Sequence, residues 1–400
     1  MFKLREYQQE ASVQGMEVLK KHKILILNYE VRTGKTHIAL DIAKNYKNVL
    51  FVTKKKAISS IQDDYKTAGH SFNWTVINYE SLHKIEGAFD LVIADESHSL
   101  GAYPKPSNRT KELKKLVKND LILMTGTLLP ESNSQIYHQL WISQHSPFKD
   151  YKTFYKFHSA LGVPEIVYTS YGQAKGYKNT PFKNIEKRLN NIKLSYTQKE
   201  AGFTSKINET ILEVEMKPVT QELIKRLEKD LVIQGKDEVI LADTGVKLMQ
   251  KVHQLSSGTI KFESGNYKVI DNSKAQYILD NFKSKKLAIF YKFKAELEAI
   301  KSLLDITQDL EEFNTTNKHI ALQVVSGREG VNLSKADCLI YYNIDFSAVS
   351  YWQSRDRLTT MDRLENNVYW LFSKGGIEYN IYKSVMNKKD FTLATFNKTL

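Results

Sequence analysis

The chain has 400 residues, 42% hydrophobic and 26% charged, with a formal charge of +13. That balance belongs to a soluble globular chain with room for two or three domains and a sizeable core, and it does not indicate disorder. No apolar run approaches the roughly eighteen residues needed to cross a bilayer, and the start Met1-Phe-Lys-Leu-Arg-Glu is charged from its third residue, so a cytoplasmic protein with no membrane partner is expected, in host cytoplasm if the source is viral.

In chain order, apolar runs of strand length recur with amphipathic segments between them: Lys23–Asn28, Asn48–Thr53, Asn73–Asn78, Phe89–Ala94 and Asp120–Met124, then Lys286–Tyr291, His319–Val325 and Cys338–Asn343. Short buried strands alternating with helices predict an α/β fold, a parallel sheet with helices on both faces, and the pattern occurs twice. Between the two sets, residues 146–210 are rich in Lys, Tyr, Phe, Asn and Gly and read as a basic insertion. The first domain is placed at 1–217, insertion included, and the second at 218–400. The single cysteine, Cys338, lies in an apolar run and reads as a buried thiol, which leaves no disulfide framework and no cysteine metal site.

The first strand runs into Gly34-Lys35-Thr36 and then into the helix-like His37–Ala43. Triphosphate oxygens need backbone N–H donors, a helix N-terminus, a fixed cation and a hydroxyl for Mg2+, and this unit supplies all four. Thr33 and Gly34 belong to that loop, Lys35 is expected on the β- and γ-phosphates, and Thr36 on the metal. The full pattern G-x-x-x-x-G-K-S/T is not met, because Tyr29 stands where the first Gly belongs.

Phe89–Ala94 ends in Asp95-Glu96-Ser97-His98, two carboxylates at the carboxyl end of a buried strand, where open α/β sheets bind ligands. Asp95 is expected to hold Mg2+ through water, Glu96 to orient or deprotonate the attacking water, and His98 to relay the nucleotide state. A third apolar strand empties into Thr125-Gly126-Thr127, whose hydroxyls can bond a neighbouring carboxylate or His, which suits a coupling loop. Further on, the insertion places eleven basic residues against five acidic ones with tyrosines interleaved. Basic residues among aromatics suit nucleic acid, with Lys183, Lys187 and Arg188 as candidate contacts, and a Lys-rich solvated protrusion is the equal alternative. The +13 charge favours a polyanionic partner, since each neutralised phosphate releases counterions.

These motifs in this order resemble the superfamily 2 helicases, and their spread over nearly the whole chain resembles the Swi/Snf-like branch, in the compact form found in bacterial viruses. Leu4-Arg5-Glu6-Tyr7-Gln8 resembles the family's adenine-reading opening, which implies nucleotide contacts for Arg5 and Gln8. Asp95–His98 resembles its Asp-Glu-Ala-His box, and the segments holding Thr53 and Asn78 resemble nucleic-acid contacts of the first lobe. Val324–Leu333, with Ser326, Gly327 and Gly330, resembles the second lobe's loop for coupling and nucleic acid. Tyr351–Arg357 resembles the arginine-rich final motif, with Gln353 and Arg357 in catalytic positions. Two departures stand out: Asp356 replaces a usual glycine, and Thr360 stands where the family generally has its finger arginine, leaving that role to Arg357 or Arg363.

The resemblance implies two RecA-like lobes in tandem with ATP and Mg2+ in a cleft, and an ATP-driven translocase or helicase on duplex or forked DNA, with replication or recombination proteins as partners. An RNA helicase and a nucleotide-gated DNA-binding subunit with weak hydrolysis stay open beside it. Oligomeric state is not legible in the sequence.

Overall fold

In the first strand, Ile24 and Ile26 enter one apolar core while Leu25 and Leu27 enter another. A strand covered on both faces cannot alternate apolar with polar, which is why the run reads as continuous. The computed structural model describes residues 3–169, 172–204, 206–327, 331–359 and 364–387, without the side chains of residues 168, 169, 326, 327, 349, 353 and 356. The described chain forms two compact units, 1–203 and 204–400.

The first unit is built on six strands: β1 (Ile24–Tyr29), β2 (Asn48–Thr53), β3 (Asn73–Asn78), β4 (Leu91–Ala94), β5 (Asp120–Thr125) and β6 (Lys193–Tyr196). They lie side by side in the order β3-β2-β4-β5-β1-β6, every pair parallel. Three helices of this unit matter below: α1 (Glu6–His22), α2 (Lys35–Ala43) and α3 (Phe182–Asn190). In this order the carboxyl ends of β4, β5 and β1 are neighbours, so the residues that follow them share one edge of the sheet.

The second unit repeats the plan with β7 (Lys206–Val214), β8 (Leu287–Tyr291), β9 (Ile306–Thr307), β10 (His319–Gln323), β11 (Cys338–Tyr341) and β12 (Glu365–Ser373). Their order is β9-β10-β8-β11-β12-β7, again all parallel. Its relevant helices are α4 (Pro218–Asp230), α5 (Gly245–Ser256), α6 (Ala348–Arg355) and α7 (Glu378–Met386). Residues of β11 alternate between two cores, Cys338 and Ile340 against Leu339 and Tyr341, and Cys338 is a buried free thiol. Among the described residues no helix is long and apolar enough to cross a membrane.

Two expectations shift. The boundary moves from 217/218 to 203/204, because β7 pairs with β12 over nine residues, from Lys206 opposite Glu365 to Val214 opposite Ser373, and so belongs to the second sheet. The stretch 146–210 is not simply inserted. Phe148, Phe154, Phe157, Ile185, Leu189 and Ile192 are buried in the first unit's core, and β6 completes its sheet beside β1. Its aromatic and widely spaced apolar residues hid the periodicity that a core segment usually shows. Within it, an antiparallel hairpin pairs Glu165–Thr169 with Gly172–Gly176.

Candidate active site

The loop from β1 to α2 turns through two left-handed residues, Arg32 at φ 66° and Gly34 at φ 85°. The left-handed backbone at Gly34 favours glycine, and a Cβ there would lie 2.1 Å from Gln8 Nε2, displacing that side chain from the loop. Thr33 is fully buried, and its hydroxyl donates to the Glu30 carbonyl at 2.7 Å. The Thr33 carbonyl accepts from Tyr7 Oη at 2.9 Å and Gln8 Nε2 at 3.2 Å. Thr33 therefore shapes the loop from inside. Gln8 is spent on both ends, since its Oε1 also accepts from the Arg5 backbone N–H at 3.0 Å, and the exposed Arg5 side chain reaches Tyr7 Oη at 3.4 Å.

Lys35 opens α2, and its Nζ donates back to the Tyr29 carbonyl at 2.7 Å and the Glu30 carbonyl at 3.2 Å. Thr36 follows it in the first turn of α2, half-buried. The segment after β6 braces this loop: Gln198 donates its backbone N–H to Glu30 Oε2 at 2.7 Å and its Nε2 to the Val31 carbonyl at 2.9 Å. Tyr196 stacks on Tyr7 at 4.6 Å and on Tyr29 at 5.6 Å between ring centres. None of these supports is legible in the sequence, because Gln198 lies 168 residues from Glu30 and carries no motif of its own.

On the neighbouring strand ends, Asp95 follows β4. Its Oδ2 accepts from Thr53 Oγ1 at 2.8 Å, its Oδ1 accepts from the Glu96 backbone N–H at 3.0 Å, and its carbonyl accepts from Tyr79 Oη. Burial, followed by the charge of Glu96, pushes the Asp95 carboxyl up to about 6, against the lowering pull of Thr53 and Lys35. For Glu96 burial again pushes upward, but the His98 contact and the charges of Lys35 and Lys54 outweigh it and hold this carboxyl at about 2. Glu96 itself sits in the left-handed region at φ 48°, a conformation that costs a non-glycine residue roughly 1–2 kcal/mol.

His98 joins the third loop to this pair. Its Nδ1 lies 3.3 Å from Glu96 Oε2 and 3.2 Å from Thr125 Oγ1, while the Thr127 backbone N–H donates to the same Thr125 oxygen at 3.1 Å. A Cβ on Gly126 would lie 3.7 Å from Lys35 Nζ, so the Thr125–Thr127 loop passes close to the lysine. The Thr127 hydroxyl is buried without a hydrogen-bond partner. The structure thus brings together Lys35, Asp95, Glu96, His98 and residues 125–127 at adjacent strand ends.

The donor set fits a magnesium ion. Thr36 offers a hydroxyl and Asp95 a carboxylate, and among the described residues no group of three or more His, Cys, Asp or Glu could cage an ion alone. Mg2+ is ordinarily held in just this partial way, by one or two carboxylates with phosphate oxygens and water completing the shell.

Other expected residues stand apart. Thr53 is 0% exposed and turned onto Asp95, so it is corrected from a nucleic-acid contact to a support of the carboxylate. Asn78 caps the turn after β3 by accepting from the Ser81 N–H at 2.9 Å. On α3, Lys183 and Lys187 are exposed, whereas Arg188 donates to the Pro147 carbonyl at 2.7 Å and lies over the Tyr151 ring at 5.4 Å, which ties it to its own unit. In the second unit, Arg357 is 7% exposed just beyond α6, and its carbonyl accepts from the Leu333 N–H at 3.3 Å. Arg355 pairs with Glu209 at 3.2 Å. Gly330, Thr360 and Arg363, and the side chains of Ser326, Gly327, Gln353 and Asp356, lie outside the described residues.

No protein-family model matches the chain, and no curated protein matches it. Among solved structures, it is similar to the SWI2/SNF2 ATPase core of Sulfolobus solfataricus in complex with dsDNA, at 14% identity and a TM-score of 0.46, covering 96% of this chain and 91% of the other. It is likewise similar to the SWI2/SNF2 ATPase core domain of the same organism, at 15% identity and a TM-score of 0.45, covering 97% of this chain and 89% of the other. At this level of likeness the fold is carried by the two parallel sheets themselves, and the chemistry by this chain's own residues.

Proposed function

We propose that the first unit binds and hydrolyses ATP and that the chain uses this hydrolysis to move along or remodel DNA. One observation supports the reading above the others: a lysine at a helix start, two carboxylates of opposite pKa shift and a His–Thr bridge occupy adjacent carboxyl ends of one parallel sheet. Lys35 exchanges its two loop carbonyls for phosphate oxygens. Thr36 and Asp95 hold Mg2+, which when bound would neutralise charge on the phosphates. Glu96, ionised at any working pH and therefore a feeble base, acts chiefly by orienting the attacking water. That suffices for a loose phosphoryl-transfer transition state, in which little proton transfer is needed early. His98 holds Glu96 in place and carries its position to Thr125.

The sequence resemblance assigns Gln353 and Arg357 to turnover as well, and the chain's +13 charge supports the polyanionic partner. The test measures phosphate release by the wild-type protein and by Lys35→Ala and Glu96→Gln, with single-stranded, duplex and forked DNA and with RNA. DNA-stimulated release that Lys35→Ala abolishes supports the reading; release unchanged in Lys35→Ala refutes the phosphate-loop assignment. Stimulation by RNA alone would move the protein to the RNA helicases. Thr360, in place of the usual finger arginine, favours a second reading, a nucleotide-gated DNA-binding subunit, and that reading predicts ATP-dependent DNA affinity with negligible turnover.

A further inference from the structure

The peptide that joins Asp95 to Glu96 is the first to leave the sheet beyond β4. One step earlier the Asp95 N–H still donates to the Val52 carbonyl at 2.8 Å, continuing the pairing of β4 with β2. The Asp95–Glu96 peptide has no such partner strand, and two side chains hold it instead. Its N–H, on Glu96, donates to Asp95 Oδ1 at 3.0 Å, and its carbonyl, on Asp95, accepts from Tyr79 Oη at 2.5 Å. The tilt of this one plane sets φ of Glu96, which stands in the left-handed region at 48°. A residue with a side chain stays there only where its surroundings over-determine the backbone.

Tyr79 reaches this peptide from the far edge of the sheet. β3 is the edge strand, and the short 3-10 turn Tyr79–Lys84 follows it, capped by Asn78. β2 stands between β3 and β4, so the contact crosses two strand spacings, about 10 Å. A ring with its hydroxyl at the far end can span that gap, and a serine or threonine cannot. The ring is 2% exposed, in the apolar core that includes Leu82, Phe89 and Leu100, and the Arg109 guanidinium lies over it at 5.8 Å. Burial, with the charges of Asp95 and Glu96 adding to it, holds the phenol well above its ordinary range, so the hydroxyl stays a donor.

The two holds on the peptide differ in kind. Asp95 Oδ1 belongs to the carboxylate offered to Mg2+, so the metal has a second claim on it. The Asp95 carbonyl is outside that donor set, and the Tyr79 bond to it is independent of the ion.

From this geometry we infer that Tyr79 is a positioning residue for Glu96: its hydroxyl fixes the Asp95–Glu96 peptide and, through it, the carboxylate that orients the attacking water. The inference rests on the hydrolytic reading proposed above. Without the hydroxyl the peptide turns, Glu96 relaxes out of the left-handed region, and its carboxylate moves away from His98. Lys35 is untouched, because its bonds run to the Tyr29 and Glu30 carbonyls after another strand. Loss of the hydroxyl should therefore slow turnover and spare nucleotide binding, since a small misplacement of a positioned group is enough to cost rate.

The test is Tyr79→Phe, which keeps the buried ring and removes one oxygen. Phosphate release and fluorescent-nucleotide titration are measured on the full chain, with Tyr137→Phe as the control. Tyr137 is also 2% exposed in the same core, and its Oη donates to the Tyr151 carbonyl at 2.7 Å, so the control strands a comparable carbonyl away from Glu96. Tyr79→Phe is expected to lower kcat about tenfold or more, with KM for ATP and nucleotide affinity within about twofold of wild type, while Tyr137→Phe keeps kcat within about twofold. In a Glu96→Gln background, single-turnover release should show no further loss from Tyr79→Phe, because both changes act through one carboxylate. An unchanged kcat in Tyr79→Phe overturns the inference. So does a rise in KM or a loss of nucleotide binding, an equal fall in Tyr137→Phe, or a full additional loss on top of Glu96→Gln. Turnover absent from the wild type refutes the proposed function and this inference with it; turnover present in the wild type and unchanged in Tyr79→Phe refutes the inference alone.

Discussion

The two units set lysines and carboxylates around the same kind of parallel sheet and use them differently. In the second unit two carboxylates meet cations: Lys274 pairs with Glu378 in the core, and Glu209 accepts from Tyr351, Arg355, Trp370 and Tyr382, binding β7, α6, β12 and α7 together. In the first unit Lys35 bonds backbone carbonyls, Asp95 is raised by burial and by Glu96, and the two carboxylates crowd each other. Matched charges serve the scaffold. A cluster left with like charges side by side is destabilised until a cation and a polyanion complete it, which is the mark of a working site.

Breaking this contrast from the side of chemistry should give the largest effect. Glu96→Gln is expected to reduce ATP turnover by about a hundredfold or more while nucleotide binding persists, measured by steady-state phosphate release and by fluorescent-nucleotide titration. Unchanged turnover would remove Glu96 from catalysis. From the side of stability, Glu378→Ala should cost about 3–5 kcal/mol in urea unfolding of the second unit, because it strands Lys274 in the core. A cost near zero would mean that the pair is not matched as described.

Asp95 sharpens the contrast through pH. Its folded-state value, about 6, lies above the ordinary 3.8, so its contribution to stability is full below 3.8 and lost as pH rises through 6. Magnesium needs the ionised form, so Mg-ATP affinity should follow the opposite course, falling as pH drops through 6. Asp95→Asn should therefore raise Tm at pH 7.5 and abolish magnesium-dependent binding; equal Tm values at pH 7.5 would deny the strain. Thr53→Val removes a donor that lowers this carboxyl, and the acid limb of Mg-ATP binding should shift to higher pH. The smallest effect concerns α3: Lys183→Ala with Lys187→Ala should lower the salt slope of DNA binding by up to about two, whereas Arg188→Ala should act on stability instead. An unchanged slope in the lysine pair would leave that surface as scaffold.

Much of this was legible because it was local. The runs Asn48–Thr53 and Asn73–Asn78 are strands at the expected bounds, Asp95-Glu96 follows directly on an apolar strand, Thr125 ends another, and Gly34-Lys35 stands one short loop beyond a third. The bridge from His98 to Thr125 follows from hydroxyls and an imidazole placed at neighbouring strand ends. What escaped was non-local. No pattern in the sequence announces that Gln198 braces Glu30, that β7 pairs with β12, or that Thr53 turns inward, because parallel pairing and side-chain direction are decided by partners more than a hundred residues away or on another strand. The aromatic segment around Phe154 was read by its lysines, although its buried rings decide where it packs.

Lys35 in the grip of Tyr29 and Glu30 has a consequence for selectivity. An anion that takes the whole ammonium must supplant two carbonyl acceptors, so a weakly charged competitor such as bicarbonate or a sulfate monoester recovers little for the exchange. A ligand with several negative oxygens in a row recovers more. The latch would thus rank ligands by charge density ahead of any reading of the base, and discrimination among nucleotides would fall first on the number of phosphates and only then on the ring.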